Sequence, residues 1–514
     1  MKISSLAIVD TTDSIDLERR RGEPGVLQWV LALGLCALLI FAVLAFGAVE
    51  QWSTFTLEAG AAALFLVWVG KQFVSRQVQL SRNPLYPPAL CFFGLILAQV
   101  ALRRSAYGYV TKYEMLRYVS YGIVLLIAAE CVRDEDIRKK FALALIVFGA
   151  LYAFFALAQQ LTFNGKIFWV RTARFNGSIY GSYVNRDHYA GLMEMLIPFP
   201  LVVGMGHLQR GGKRALVVFG AVLMAGTMFL SGSRGGMIAF VLEIVLFAAL
   251  TLVQRRNPRV ALGSVAVCVL VLTFLVFLGK GQVLGRLGDL GPGIRLEITK
   301  DCLRMFSHRP VWGWGLGTFP TIYPSYRSFY TNLFVNEAHN DYAQLLVETG
   351  LLGFSLMLWF LICLYRHGLP TSRRWEFQWD GAVSLAALLG CTGILFHSFV
   401  DFNLQIPANA ALFYVLCGLA ASPQAGLSRR SRSIGNQEIG GRRTPPDNRT
   451  PGAVEIIESR IIRIWKGSGQ AGPHSVVRRT NGWLENTRRE KHERASLSET
   501  LRRNEQRTQE EKCL

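Results

Sequence analysis

Asn336-Glu337-Ala338-His339-Asn340-Asp341-Tyr342-Ala343-Gln344-Leu345-Leu346-Val347-Glu348-Thr349-Gly350 is the stretch on which the reading of this chain turns. It lies between a long polar loop and an apolar run of membrane-spanning length, about residues 345–365. Asn336 suits an N-cap and Gly350 a C-cap or break, so the spacing predicts a helix between them. His339 then falls in the first turn, where the positive end of the helix dipole favours a neutral, proton-accepting imidazole. Asn340, Gln344 and Glu348 recur every four residues and form a polar stripe beside it. A histidine on a polar helix start at a membrane boundary marks a candidate site. An ordinary interfacial helix with a solvated histidine reads equally well from these residues alone.

Working outward, the 514 residues are 51% hydrophobic and 18% charged, and the charges cluster between long apolar runs. That pattern, with a mean hydropathy of +0.29, is that of an all-α, polytopic transmembrane protein rather than a soluble domain. Candidate spans fall at about 26–49, 54–70, 86–102, 117–132, 140–161, 188–206, 214–230, 236–253, 260–279, 345–365, 380–397 and 406–421, about twelve in all. The first is too long for a signal-peptide core and reads as a signal anchor. The nine cysteines form no CxxC pair and no metal-ligand spacing, so neither a disulfide framework nor a metal site is expected.

The net charge of +20 sits largely in short loops and in the C-terminal tail, which argues for membrane orientation and against a nucleic-acid partner. With residues 1–25 placed in the cytoplasm, the inside loops are 71–82, 133–140, 207–214, 254–259 and 366–374, each short and rich in Lys or Arg. The outside loop 103–117 is also basic and runs against the rule. Nearly all distinctive polar residues then fall on the outer side, in 162–187, 231–235, 280–340 and 398–405. The membrane domain therefore covers 26–421, with a periplasmic loop at 280–340 before the tenth span. Residues 422–514 turn abruptly to Arg, Ser, Gly, Glu and Gln and read as a basic, disordered cytoplasmic tail. Its arginines could touch anionic lipid headgroups, and 454–465 could form an interfacial helix.

Four outer-face motifs stand out. The first is Gly181-Ser182-Tyr183-Val184-Asn185-Arg186-Asp187-His188-Tyr189-Ala190-Gly191, at the mouth of the sixth span, where Asn185 and His188 also suit helix capping. The second, Ser231-Gly232-Ser233-Arg234-Gly235-Gly236, is a tight turn leaving Arg234 at the membrane surface, either beside an anion-binding nest of N–H groups or snorkelling to headgroups. The third, in the long loop, holds Gly293-Ile294-Arg295-Leu296-Glu297 and Arg309-Pro310-Val311-Trp312-Gly313-Trp314-Gly315-Leu316-Gly317-Thr318-Phe319. Its alternating Trp and Gly suit sugar stacking or an interfacial aromatic belt. The fourth is His397-Ser398-Phe399-Val400-Asp401-Phe402-Asn403-Leu404-Gln405, where a helix would set His397 and Asp401 one turn apart in a supporting polar network.

In this order, and together with His339-Asn340-Asp341-Tyr342-Ala343-Gln344, these motifs closely resemble the O-antigen ligase/polymerase superfamily of bacterial inner-membrane proteins. The resemblance covers about residues 26–421. One departure is Asn185-Arg186-Asp187-His188, where many members carry Asn-Pro-Asn-His. The resemblance implies transfer of glycan from an undecaprenyl-pyrophosphate carrier to an acceptor hydroxyl, on a glycan or on lipid A-core, at the periplasmic face. It assigns His339 the role of general base and gives Arg234 and Arg295 the pyrophosphate. Asn185, His188, Asn340 and Tyr342 join the substrate-binding candidates. A glycosyl pyrophosphate already carries a good leaving group, so charge stabilisation, deprotonation and positioning suffice. Arginine supplies the charge bidentately, and no metal or other cofactor is expected. Ligase and polymerase share these motifs. The alternative of a lipid-linked-glycan transporter or flippase calls for paired repeats and midplane charges, and the sequence shows no clear repeat. Asp134-Glu135-Asp136 mimics a metal-nucleotide DxD, but its place in a basic cytoplasmic loop suits a helix start. Cysteine-accessibility labelling at Ser325 and Ser433 is expected to report opposite sides, Ser325 outside. Labelling of both from one side would remove the twelve-span arrangement.

Overall fold

The computed structural model describes residues 25–76, 78, 80–172, 178–207, 211–255, 294–331 and 334–422. The expected span at 260–279, the loop before residue 294, the N-terminal segment 1–24 and the tail beyond 422 lie outside the described residues. The helices are α1 (Val26–Leu44), α2 (Gln51–Ser75), α3 (Tyr86–Ala101), α4 (Gly108–Cys131), α5 (Glu135–Leu161), α6 (Arg186–Leu196) and α7 (Pro198–Gly206). Then follow α8 (Gly212–Leu230), α9 (Arg234–Arg255), α10 (Ile294–His308), α11 (Phe319–Ile322), α12 (Asp341–Ser372), α13 (Trp379–His397) and α14 (Pro407–Ala421). A two-stranded antiparallel ribbon, Lys166–Ile167 with Arg171–Thr172, is a small exception to the all-α expectation among the described residues.

Eight stretches are long and apolar enough to cross a membrane: α1, α2, α5, α6 with α7, α8, α9, α12 and α13. Helices α3 and α14 are shorter apolar helices. The chain is thus a mostly helical, multi-pass membrane protein; every expected span outside 260–279 falls on one of these helices except 117–132, which falls on α4. Helix α4 begins nine residues before the expected start at 117, because Lys112, Glu114 and Arg117 lower the hydropathy of a helical turn. Glu114 and Arg117 pair at 3.0 Å, so the charges are met within the helix itself. The α6–α7 span and α13 are central, with 83% and 78% of their membrane-crossing residues buried, whereas 33% of α2 and α12 is. The exposed remainder of α2 and α12 is the apolar surface that lipid requires. Asp134 caps α5 by accepting from the amides of Asp136 and Ile137, so the DxD-like run is a helix start.

Within the long loop, α10, α11 and the 3₁₀ turn Tyr323–Ser325 bury Ile298, Cys302, Met305, Phe319 and Tyr323 against Ala338 and Val347. One expectation about the organising stretch needs correction: α12 starts at Asp341 with Asn340 as its N-cap, not after Asn336. The Asn340 side chain accepts from the Ala343 amide at 3.0 Å, while His339 adopts a left-handed φ of 53°, which ends helical continuation on its N-terminal side.

Gly350 does break the helix, at φ 63° and ψ −164°, a conformation open essentially to glycine. The freed backbone groups are taken up by the glycine-rich loop. Leu351 N donates to Pro310 O at 2.7 Å, and Trp314 N and Gly315 N donate to the carbonyls of Val347 and Glu348 at 2.9 Å each. Gln99, enclosed in α3, locks the loop from below, donating to Trp312 O and Glu348 O and accepting from Leu316 N. The irregular backbone at the break is therefore partnered largely by protein. A Cβ at Gly350 would lie 2.3 Å from Val311 O. Gly350→Ala is expected to cost roughly 1–3 kcal/mol from backbone strain alone, read as a lower thermal midpoint in detergent. Gly94→Ala, at a helical site where a Cβ meets nothing within 4 Å, should be neutral or mildly stabilising.

Candidate functional site

The N-terminal ends of α12, α6 and α9 converge with the C-terminal end of α13, and the turn after α13 joins them. Helix α13 ends at His397, whose carbonyl accepts from the amides of Val400 and Asp401 at 2.9 and 3.1 Å. Asp341, the first residue of α12, docks on this turn. Its carboxylate accepts from Ser398 Oγ at 2.7 Å, Leu404 N at 3.1 Å and Gln405 Nε2 at 3.4 Å, and its amide donates to Ser398 O at 2.9 Å. The left-handed backbone of His339, two residues earlier, turns its ring onto Asp401, with Nδ1 3.4 Å from Oδ1. The line of approach falls short of a well-formed hydrogen bond, so the contact is a close polar approach that orients the ring. The imidazole side chain is 30% exposed while Asp401 is fully enclosed, so His339 alone of the pair can meet a ligand.

Burial works to raise the Asp401 carboxyl, but His339, His188, Arg295 and His397 around it win and hold it well below the usual carboxylate range. Asp401 is thus an anion over the physiological range. Phe402 stands edge-on to two of these rings, with centroids 4.7 Å from both His188 and His339. His188 itself is 6% exposed and has Asn185 Nδ2 3.5 Å from its Nε2. Asn185 caps α6 by accepting from Asp187 N at 2.9 Å, as its sequence position allowed.

Arg295, near the start of α10, bridges two of the motifs. One guanidinium nitrogen lies 3.3 Å from Asp187 Oδ2, and the other donates to Val400 O at 2.5 Å. Among the described residues two of its five N–H donors are engaged, and the side chain is 47% exposed. Arg234 is the first residue of α9 and half-buried. The preceding turn is closed by Gly232 at φ 74° and by Ser233, whose Oγ accepts from Gly236 N at 3.3 Å. Gly235 packs so closely that a Cβ there would sit 2.4 Å from His397 Nε2 and 3.1 Å from Val400 Cγ2. The Arg234 turn therefore rests on the same segment that presents Asp401 and receives Arg295.

The remaining expected residues divide differently. Asn340 acts as a cap, and Tyr342 donates to Leu395 O at 2.6 Å and packs on Phe399 with centroids 4.4 Å apart. The polar stripe faces inward: Gln344 donates to Glu337 and accepts from Ala338 N, and Glu348 accepts from Phe319 N at 3.1 Å. Beside this face a cavity of about 520 Å³ runs along the bundle, from Asp341, Leu404 and Gln405 to Tyr86 at the far end of α3. Its wall is almost wholly apolar, with Phe93 and Phe360 among its rings. Sequence reasoning passed over Asp341, Phe402 and Glu194. A carboxylate inside an otherwise apolar run, as at Glu194, was the available signal. Among the described residues no cluster of three or more His, Cys, Asp or Glu is arranged to hold a metal ion.

Residues 219–358 match the family model of O-antigen ligase. No curated protein matches the chain. The matched segment bears out the resemblance to the O-antigen ligase superfamily, and with it O-antigen ligase-like glycan transfer as the general activity. It contains Arg234, Arg295, His339, Asn340 and Tyr342, whereas Asn185, His188 and Asp401 lie outside it and join the cluster only through folding.

Glu337 offers a test of the electrostatics around this site. Burial lifts its carboxyl from the ordinary 4.5 to about 8; the Gln344 hydrogen bond opposes the rise, and Glu348, Glu114 and Asp341 add to it. Between those values the folded protein holds a proton that the unfolded chain releases. The associated stability is therefore full below 4.5 and is lost as pH rises through about 8. Glu337→Gln is expected to match the wild type in thermal midpoint near pH 5 and to exceed it near pH 9. Parallel curves at all pH values would contradict that environment.

Proposed function

We propose that this protein transfers glycan from an undecaprenyl-pyrophosphate carrier to an acceptor hydroxyl at the periplasmic face of the bacterial inner membrane. The observation that carries the reading is the pairing of half-exposed His339 with enclosed, anionic Asp401 on the segment that also holds Arg295 and supports Arg234. Asp401 faces Nδ1, which leaves Nε2 as the nitrogen turned to an acceptor. This is the division of labour of an orienting carboxylate and a base.

In this scheme the acceptor hydroxyl gives its proton to His339 Nε2 as its oxygen bonds to the anomeric carbon of the donor. The bond from that carbon to the pyrophosphate oxygen breaks, and the pyrophosphate leaves with the electron pair. Arg234 and Arg295 offset the charge that develops there. A guanidinium at the first residue of a helix combines with the helix N-terminus in favouring an anion. The apolar cavity that begins at Asp341 and Gln405 suits part of the polyprenyl chain, which needs a water-free wall close to the reacting phosphates. Metal is not called for where two guanidinium groups flank the leaving group.

The test is transfer from purified lipid-linked donor to acceptor. His339→Ala is expected to leave donor binding in place and to lower turnover by about 10²–10⁴-fold. Arg234→Lys, which keeps charge but loses the planar fork, should weaken donor use substantially. Near-normal turnover by folded His339→Gln would refute the base assignment. Loss of activity in EDTA, restored by a divalent ion, would refute charge stabilisation by arginine alone.

A further inference from the structure

Beneath the turn that carries Asp401 lies a buried pair to which the transfer scheme gives no task. His397 Nδ1 donates to Glu194 Oε1 across 2.9 Å, and the two side chains are 1% and 0% exposed. Glu194 belongs to α6 and His397 closes α13, so the pair ties the end of α13 to the interior of the α6–α7 span. A polar pair in so apolar a setting is weak evidence for stability, since packed hydrophobic side chains of similar volume often serve as well. What it does supply is orientation, because two hydrogen-bonded rotamers fix where the end of α13 stands.

Three features of the site hang from that point. The His397 carbonyl accepts from Asp401 N and Val400 N, so it sets the turn that aims Asp401 at His339. The Val400 carbonyl is the acceptor for Arg295. The far edge of the imidazole, Nε2, is the floor on which Gly235 rests, and Gly236 rests likewise on Glu194, with a built Cβ 2.9 Å from Oε1. No side chain larger than hydrogen fits at either glycine without moving the pair, and Arg234 is the adjoining residue.

We propose that His397, held by Glu194, is a positioning residue that sets Asp401, Arg295 and Arg234 in register for the transfer step. This rests on the glycan-transfer reading above. His397 touches neither donor nor acceptor in this arrangement and acts through the turn and the glycine pair. A displacement on the order of 1 Å in such a group costs about 10²-fold in rate.

Steady-state transfer kinetics on the full-length protein test it. His397→Leu fills the space without a donor for Glu194 and is expected to lower kcat by about 10²-fold with little change in KM. His397→Asn, whose amide can reach the Nδ1 position, should recover most of that loss. In a double-mutant cycle with Asp401→Asn the losses should be strongly non-additive, because a displaced turn no longer matters once its carboxylate is gone. If His397→Leu does not fold, Gly235→Ala takes its place in the cycle, pressing on the same ring from the opposite side. Additive losses, or a variant with near-wild-type kcat and only a lower thermal midpoint, would overturn the proposal and leave the pair as packing. Wild-type protein that transfers no glycan in the same assay would instead sink the functional reading.

Discussion

The break in α12 at Gly350 is the constraint from which the arrangement around the candidate site follows. A helix interrupted near the membrane surface leaves amides and carbonyls that lipid cannot satisfy, so protein must reach them. The loop from Pro310 to Leu316 does so, exchanging backbone hydrogen bonds with Val347, Glu348 and Leu351. Its own turns need Gly313, Gly315 and Gly317 at positive φ. Gln99 then fixes the loop to the bundle. With these contacts made, the short outer half of α12 is a rigid post, and Asp341 and His339 stand at its tip.

Charged and titratable groups are concentrated around a turn of a few residues. Asp401 is enclosed and anionic, held so by three histidines and an arginine drawn from four separate segments. Charges gathered in an enclosed setting act on one another far more strongly than in water. The same enclosure explains why so many of the neighbouring polar groups serve as caps and braces. Asn185, Asn340 and Asp341 each direct side-chain oxygens at backbone amides. Arg295 is exposed, and Arg234 and His339 are half-buried.

Hydropathy made the spans legible because lipid imposes length and apolarity on each one, and the helices fall where the apolar runs do. The reading started α4 late because Lys112, Glu114 and Arg117 lower the hydropathy of its first turns, although the backbone there is already helical. The convergence of Arg234, Arg295 and His339 was read from ordered motifs, and the fold brings their segments together through Val400 and Gly235. What could not be read was the local backbone. Asn336 and Asn340 both look like caps, and only the left-handed turn at His339 decides between them. Partners such as Asp341 and Glu194 escaped because a lone carboxylate in an apolar run names no contact by itself. Phe402, between two histidines, carries no sequence signal at all.

Asp341, Leu404 and Gln405 belong at once to the wall of the long apolar cavity and to the bracing of the turn that presents Asp401. Whatever occupies the cavity therefore touches residues that brace the turn facing His339. Attraction gained along an inert hydrocarbon tail, far from any reacting atom, can thus be drawn on to hold the reacting groups in line. On that view the greasy portion of a donor is more than an anchor. A shortened tail would bind less well and, once bound, would also react more slowly.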